Sequence, residues 1–131
     1  MASHDVADVA EELARQIVDA AFRVHYTLGP GLIESAYEMC LCREFQMRGV
    51  DFQRQVSMPV VYEGLKLASG YQLDLLVGGE VIVELKAVEE LLPVHKAQLL
   101  TYLKLAQKPL GLLINFNVPK IKDGIHRVIR R

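Results

Sequence analysis

No stretch of the 131-residue chain approaches the roughly 18–20 consecutive apolar residues that a membrane-spanning helix needs. Nothing in it therefore predicts a membrane span. The opening stretch, MASHDVADVAEELARQ, is acidic and lacks the basic-then-apolar order of a secretory signal. The expectation is a soluble protein of the cytoplasm. Cysteine is scarce, with only Cys40 and Cys42. Two residues apart on a predicted helix, they point to different faces and cannot staple a fold, which fits a reducing compartment. No Cys or His shows the paired spacing of a zinc site, and His25, His126 and Cys40 read as core or partly exposed side chains. Five Pro and nine Gly suffice for turns and are too few for a low-complexity chain, and there is no internal repeat or linker. A strong charge of one sign is also missing. The net charge of −1 excludes a global basic signature for nucleic acid.

What is present is the composition of an ordinary globular protein, 51% hydrophobic and 24% charged, at a length suited to one domain over residues 1–131. The charge is unevenly spread. Residues 1–103 carry a net −7 and residues 104–131 a net +6. Such polarity suits an anionic ligand near the C-terminal elements, head-to-tail self-association, or a solvated basic tail.

Apolar residues Val6, Val9, Leu13, Ile17, Ala20 and Val24 recur every three or four positions and predict a helix over 5–27. Gly29-Pro30-Gly31 breaks it. A second helix is predicted over 32–48, ended by Gly49. Strands are predicted over 52–62 and 65–77, with Glu63-Gly64 as a turn between them. Gly78-Gly79 signals a hairpin into a third strand over 80–88. Pro93 opens a helix that runs to Gln107. The apolar run Gly111–Phe116 reads as a buried strand, and 125–130 as a last strand. The order α-α-β-β-β-α-β-β predicts an α/β fold with a mixed sheet.

The third strand holds the main anomaly. Val81, Val83, Leu85 and Ala87 share one face; Ile82, Glu84, Lys86 and Val88 share the other. An acid and a base two apart in an apolar strand are costly to bury unless paired or used. The preceding strand repeats the pattern with Asp74 in Tyr71-Gln-Leu-Asp-Leu-Leu-Val77. One reading is an ion-pair cluster on a wet face. The other is chemical: two carboxylates bind Mg²⁺ or Mn²⁺ through hard oxygens, and a nearby ammonium offsets phosphate charge.

Asp74…Glu84-Leu85-Lys86 resembles the D…(D/E)-x-K signature of the PD-(D/E)XK nuclease superfamily, with Leu73 where the signature usually has proline. Gly31-Leu-Ile-Glu34-Ser-Ala-Tyr37 is similar to the motif that names the bacterial GxxExxY proteins. Val83-Glu-Leu-Lys-Ala87, Leu92-Pro-Val-His95, Ala97-Gln-Leu-Leu-Thr-Tyr102 and Gly111-Leu-Leu-Ile-Asn-Phe-Asn117 resemble the rest of that family, so the likeness runs from Val6 to Arg127. It implies a restriction-endonuclease-like αβββαβ core, a mixed sheet flanked by helices, with an extra N-terminal helix. It also implies a Mg²⁺- or Mn²⁺-dependent nuclease, acting on DNA more than RNA, with no membrane partner.

In this assignment Asp74 and Glu84 are the metal ligands, with the Leu85 carbonyl as a third donor, and Lys86 orients the attacking water. Glu34 borders the stripe of Tyr37, Leu41 and Phe45; it is either a boundary residue or, as the superfamily implies, an auxiliary metal ligand or holder of the water network. His95, Gln98 and Tyr102 share one face of their helix. Gln98 matches a superfamily position for steering Lys86 or the phosphate, and His95 and Tyr102 are candidates for contact with the substrate phosphate or for holding Gln98. The rival function is a non-catalytic binding or self-assembling module on the same fold. Either version is expected to be a homo-oligomer, a two-fold dimer by preference.

The chemistry also selects a hairpin register. A two-residue Gly78-Gly79 loop would place Asp74 and Glu84 on opposite faces. A three-residue loop, Gly78-Gly79-Glu80, pairs Val77 with Val81 and sets Asp74 across from Glu84. The expected form of such a loop is a type I turn with one left-handed residue.

Overall fold

The computed structural model describes residues 6–131; Asp5, the predicted first residue of the N-terminal helix, lies outside them. Helix α1 spans Val6–Leu28. Ile17, Ala20 and Val24 are buried as expected and Leu13 packs at the edge, but Val9 is 38% exposed. Ala10, Ala14 and Ala21 complete the seam instead. Alanines let the helix lie close to its neighbours, and their weak hydropathy hides that part of the stripe from a periodicity argument.

Helix α2 spans Glu34–Arg48 and starts two residues later than predicted, because Gly31 takes φ 103° and Ile33 is extended. Tyr37 closes the turn before it. Its hydroxyl donates to the Gly29 carbonyl at 2.6 Å and accepts the Leu32 N–H at 3.1 Å, and its ring stacks on Phe116 with centroids 4.6 Å apart.

Strands β1, Phe52–Tyr62, and β2, Leu65–Val77, have the predicted bounds. Strand β3, Val81–Lys86, is shorter than predicted at both ends. Past its C-terminal end, Asn115 receives the Val88 N–H at 3.1 Å and donates to the Val88 carbonyl at 2.9 Å, so a side-chain amide replaces the ladder. Helix α3, Pro93–Ala106, ends at a left-handed Gln107. Strand β4 is Leu110–Asn115, a 3₁₀ turn not anticipated from sequence covers Ile121–Gly124, and β5 is Ile125–Ile129.

The strands lie in the order β1-β2-β3-β4-β5, antiparallel except for β3–β4, which are parallel and joined through α3. Helices α1 and α2 cover one face of the sheet over Leu75, Val77, Val83, Leu85 and Ile114. Helix α3 covers the other over Leu73, Leu76, Ile82 and Leu113. This is the αβββαβ core with its extra N-terminal helix. The charge polarity is partly neutralised within the chain, because Arg127 of β5 holds Glu11 of α1 through two N–H groups, at 3.1 and 2.5 Å.

In the β2–β3 hairpin, Val77 pairs with Val81, Leu76 with Ile82 and Leu75 with Val83. The loop is therefore Gly78-Gly79-Glu80. Its conformation differs from expectation: both glycines are left-handed, at φ 58° and 70°, and the Glu80 N–H bonds the Val77 carbonyl at 3.0 Å. That is the sign pattern of a type I′ turn, which two glycines adopt without steric cost and whose twist suits the strands.

Regular facing breaks one residue beyond the last ladder pair. Leu75 and Val77 pack toward α1 and α2, yet Leu73, of the same parity, packs toward α3. Strand β1 does the same: Phe52 faces α1 and α2, and Val56 faces α3. The β1–β2 register is continuous through Arg54↔Leu75 and Val56↔Leu73, so both strands turn over at the row holding Gln55 and Asp74. Gln55 has φ 52° there.

Gly124 makes the tightest backbone approach in the C-terminal turn, since an added Cβ would collide with the Asn115 carbonyl oxygen. Backbone cannot retreat as a side chain can. Gly124→Ala is expected to cost about 1–3 kcal/mol, read as a lower urea midpoint; an unchanged midpoint would show that the turn is free to shift.

Candidate active site

Where the β2–β3 ladder stops, side chains take over its hydrogen bonds. The Asp74 N–H donates to Glu84 Oε2 at 2.9 Å, and the Leu85 N–H donates to Asp74 Oδ2 at 2.8 Å. The two carboxylates are thus locked beside each other by reciprocal backbone bonds. In an extended strand the N–H and C=O of one residue face the same neighbour, so the Leu85 carbonyl points into the same gap. Glu84 is buried, at 5% exposure. Burial first, then repulsion from Asp74, pushes its pKa up to about 8, against the Asp74 N–H and the Lys86 charge. Burial likewise raises Asp74, with Glu38 adding to it, while the Leu85 N–H, Lys86 and Gln55 hold it down.

Lys86 is two residues beyond Glu84 and makes no ion pair among the described residues. Its field nonetheless lowers the pKa of Glu34, Asp74 and Glu84. Glu34, in the exposed first turn of α2, feels partial desolvation and the Asp74 charge, which raise its pKa. It does not join Asp74 and Glu84 in a cage: no three His, Cys, Asp or Glu side chains group as a metal site among the described residues. From α3, Tyr102 is coupled to both carboxylates, whose charge adds to burial in raising its pKa. It stacks on Tyr71 at 4.8 Å, and the buried Tyr71 hydroxyl has no hydrogen-bond partner among the described residues. His95 uses Nδ1 to accept the Leu92 N–H at 3.0 Å, which caps α3. Gln98 is exposed, and its side chain makes no hydrogen bond among the described residues.

The donor set fits a hard divalent cation. Two adjacent carboxylates, Glu84 buried and Asp74 half-buried, resist joint ionisation without a counter-charge. Mg²⁺ accepts a sparse protein set of one or two carboxylates because it keeps several waters. Asp74, Glu84 and the Leu85 carbonyl are such a set. The surface shape does not mark the site: open grooves of about 540 and 610 Å³ run along α1, and none of the cluster residues lines them.

Sequence reasoning missed Glu38. It is buried on α2 and bound by Arg54 through Nε at 3.1 Å and Nη2 at 2.9 Å, and by Gln55 Nε2 at 2.7 Å. Its signal was available: it stands one turn after Glu34, inside the stripe of Tyr37, Leu41, Cys42 and Phe45. Cys42, close to Glu38, has its thiol pushed up to about 11 by burial and that charge, so it is a protonated core side chain.

A mixed sheet with two acids and a lysine at the mouth of its central hairpin defines a restriction-endonuclease-like nuclease core. The chain belongs to the PD-(D/E)XK nuclease superfamily, whose family model matches residues 11–128. Neither the curated proteins nor the solved structures include a significant match to it.

Proposed function

We propose that the protein is a Mg²⁺- or Mn²⁺-dependent nuclease that hydrolyses phosphodiester bonds of nucleic acid, DNA in preference to RNA. The observation that carries this reading is the pair of reciprocal bonds that lock Asp74 beside Glu84, with Lys86 next on the same strand face. Asp74, Glu84 and the Leu85 carbonyl would hold the ion, which when bound would offset charge on the phosphate and acidify water. Lys86 Nζ would orient the attacking water and balance charge on the scissile phosphate. Water adds to phosphorus as the bond to the leaving sugar oxygen breaks, so one fragment ends in phosphate and the other in hydroxyl.

Glu34 acts from outside the ligand set, as a holder of the water network. Gln98, free of Lys86, and His95, through Nε2, would meet the substrate backbone, with Tyr102 beside the carboxylates. The likeness of Gly31–Tyr37 to the GxxExxY motif supports a bacterial member of that group: a single domain over 1–131 working in the cytoplasm as a two-fold homodimer, an arrangement suited to cutting both strands. The test is cleavage of plasmid, single-stranded DNA and RNA by the purified protein with Mg²⁺, Mn²⁺ or EDTA. Metal-dependent cutting is expected. Metal binding with no cleavage of any substrate would favour the non-catalytic module.

A further inference from the structure

We infer that Gln55 and Glu38 are positioning residues that aim the Asp74 carboxylate toward the metal, an inference that rests on reading Asp74 and Glu84 as metal ligands. The pairs Arg54↔Leu75 and Val56↔Leu73 set Gln55 across from Asp74 on β1, and on β3 Glu84 follows the last ladder pair, Leu75↔Val83, with its carboxylate on the Asp74 N–H. Gln55 is left-handed in mid-strand, at φ 52°. No turn requires that conformation, and a side chain there is disfavoured unless its surroundings hold it.

The surroundings do so through the amide. Gln55 Nε2 donates to Glu38 Oε1 at 2.7 Å, and Gln55 Oε1 accepts from Gln72 Nε2 at 2.6 Å. An amide nitrogen carries two hydrogens, so Gln55 keeps one N–H beyond its bond to Glu38 on the residue that stands across from Asp74. Glu38 is itself buried and held in an ion pair with Arg54 at 2.9 Å. Hydrogen bonds join Arg54 to Glu38 and Glu38 to Gln55, and Gln55 stands across from Asp74. It fixes Asp74 from the β1 side while the Leu85 N–H fixes it from the β3 side. Metal ligands are commonly oriented in this way by outer partners, whose loss weakens metal binding about 10–100-fold. A purely architectural ion pair between α2 and β1 would need Arg54 and Glu38 but no left-handed glutamine facing Asp74.

The experiment is calorimetric titration of the full chain with Mn²⁺ alone, beside thermal unfolding in EDTA, for wild type, Glu84→Gln, Gln55→Gly, Glu38→Gln and the double Glu38→Gln/Gln55→Gly variant. Glycine accepts the φ of residue 55 without strain. Gln55→Gly is therefore expected to keep its melting temperature within a few degrees while Mn²⁺ affinity falls about 10–100-fold. Glu38 acts through Gln55, so the double variant is expected to bind Mn²⁺ no more weakly than Gln55→Gly, a non-additivity that a structural role would not produce. If Gln55→Gly fails to fold, Gln55→Asn, whose side chain tolerates the left-handed region but is one methylene shorter, carries the same comparison. Wild-type affinity in the residue-55 variant, with Glu84→Gln inactive toward Mn²⁺, overturns this inference and leaves the metal site standing. Additive losses also overturn it. No Mn²⁺ binding by wild type, or binding undiminished by Glu84→Gln, overturns both.

Discussion

Glu84→Gln is expected to lower metal-dependent cleavage by about a hundredfold or more, the scale on which loss of one preorganised electrostatic partner of a transition state is felt. The fold is expected to survive it. Glutamine keeps an acceptor oxygen for the Asp74 N–H, which donates at 2.9 Å in the wild type, and it removes a buried acid. Without metal, the variant should be the more stable protein at alkaline pH. The folded Glu84 carboxyl holds its proton up to about pH 8, whereas an unfolded one releases it near its ordinary value of about 4.3. Between those limits the native state binds one more proton than the unfolded state, so raising the pH favours unfolding. The wild type should lose stability through this window, on the order of a few kcal/mol in all, and most of that slope should vanish in Glu84→Gln. Urea unfolding in EDTA from pH 5 to 9 reads it directly. Parallel pH profiles for the two proteins, or full cleavage by the variant, would remove Glu84 from the site.

Metal affinity should climb steeply with pH for the same reason. A cation at Asp74 and Glu84 needs both carboxylates ionised, but burial and the Asp74 charge keep Glu84 protonated up to about pH 8. Binding must then release close to one proton at neutral pH. The expected slope is about tenfold in affinity per pH unit, or about a hundredfold from pH 6 to 8, flattening above that. Mn²⁺ titrations in two buffers of different ionisation heat count the proton. A pH-independent affinity would place the ion elsewhere or show Glu84 already ionised.

The superfamily match over residues 11–128 makes the fold secure, whereas activity depends on what a handful of polar side chains do at one row of the sheet. That row has a physical logic. Pairing ends at Leu75↔Val83, and the strands turn over at Gln55 and Asp74. The freed N–H groups of Asp74 and Leu85 are satisfied by the carboxylates themselves.

Much of this was legible in the chain. Glu63-Gly64 and Gly78-Gly79 located the turns that bound β1, β2 and β3, and the misfit of Asp74, Glu84 and Lys86 in apolar strands marked the row. The requirement that Asp74 and Glu84 meet even selected the Gly78-Gly79-Glu80 loop, because a two-residue loop would have set them on opposite faces. The sequence by itself therefore determined the elements, their order and the pairing of the central hairpin. Only the tertiary structure decided which side of each element is buried and which distant polar groups meet. Alanines rather than Val9 seat α1, because packing distance and not hydropathy selects the seam. The facing reversal in β1 and β2 violates the period from which faces are read. The contacts of Glu38 with Arg54 and Gln55, and of Asn115 with Val88, join residues that no local repeat relates. They exist because sheet register and helix docking bring separate segments together, and a buried polar group is stable only where such a partner arrives.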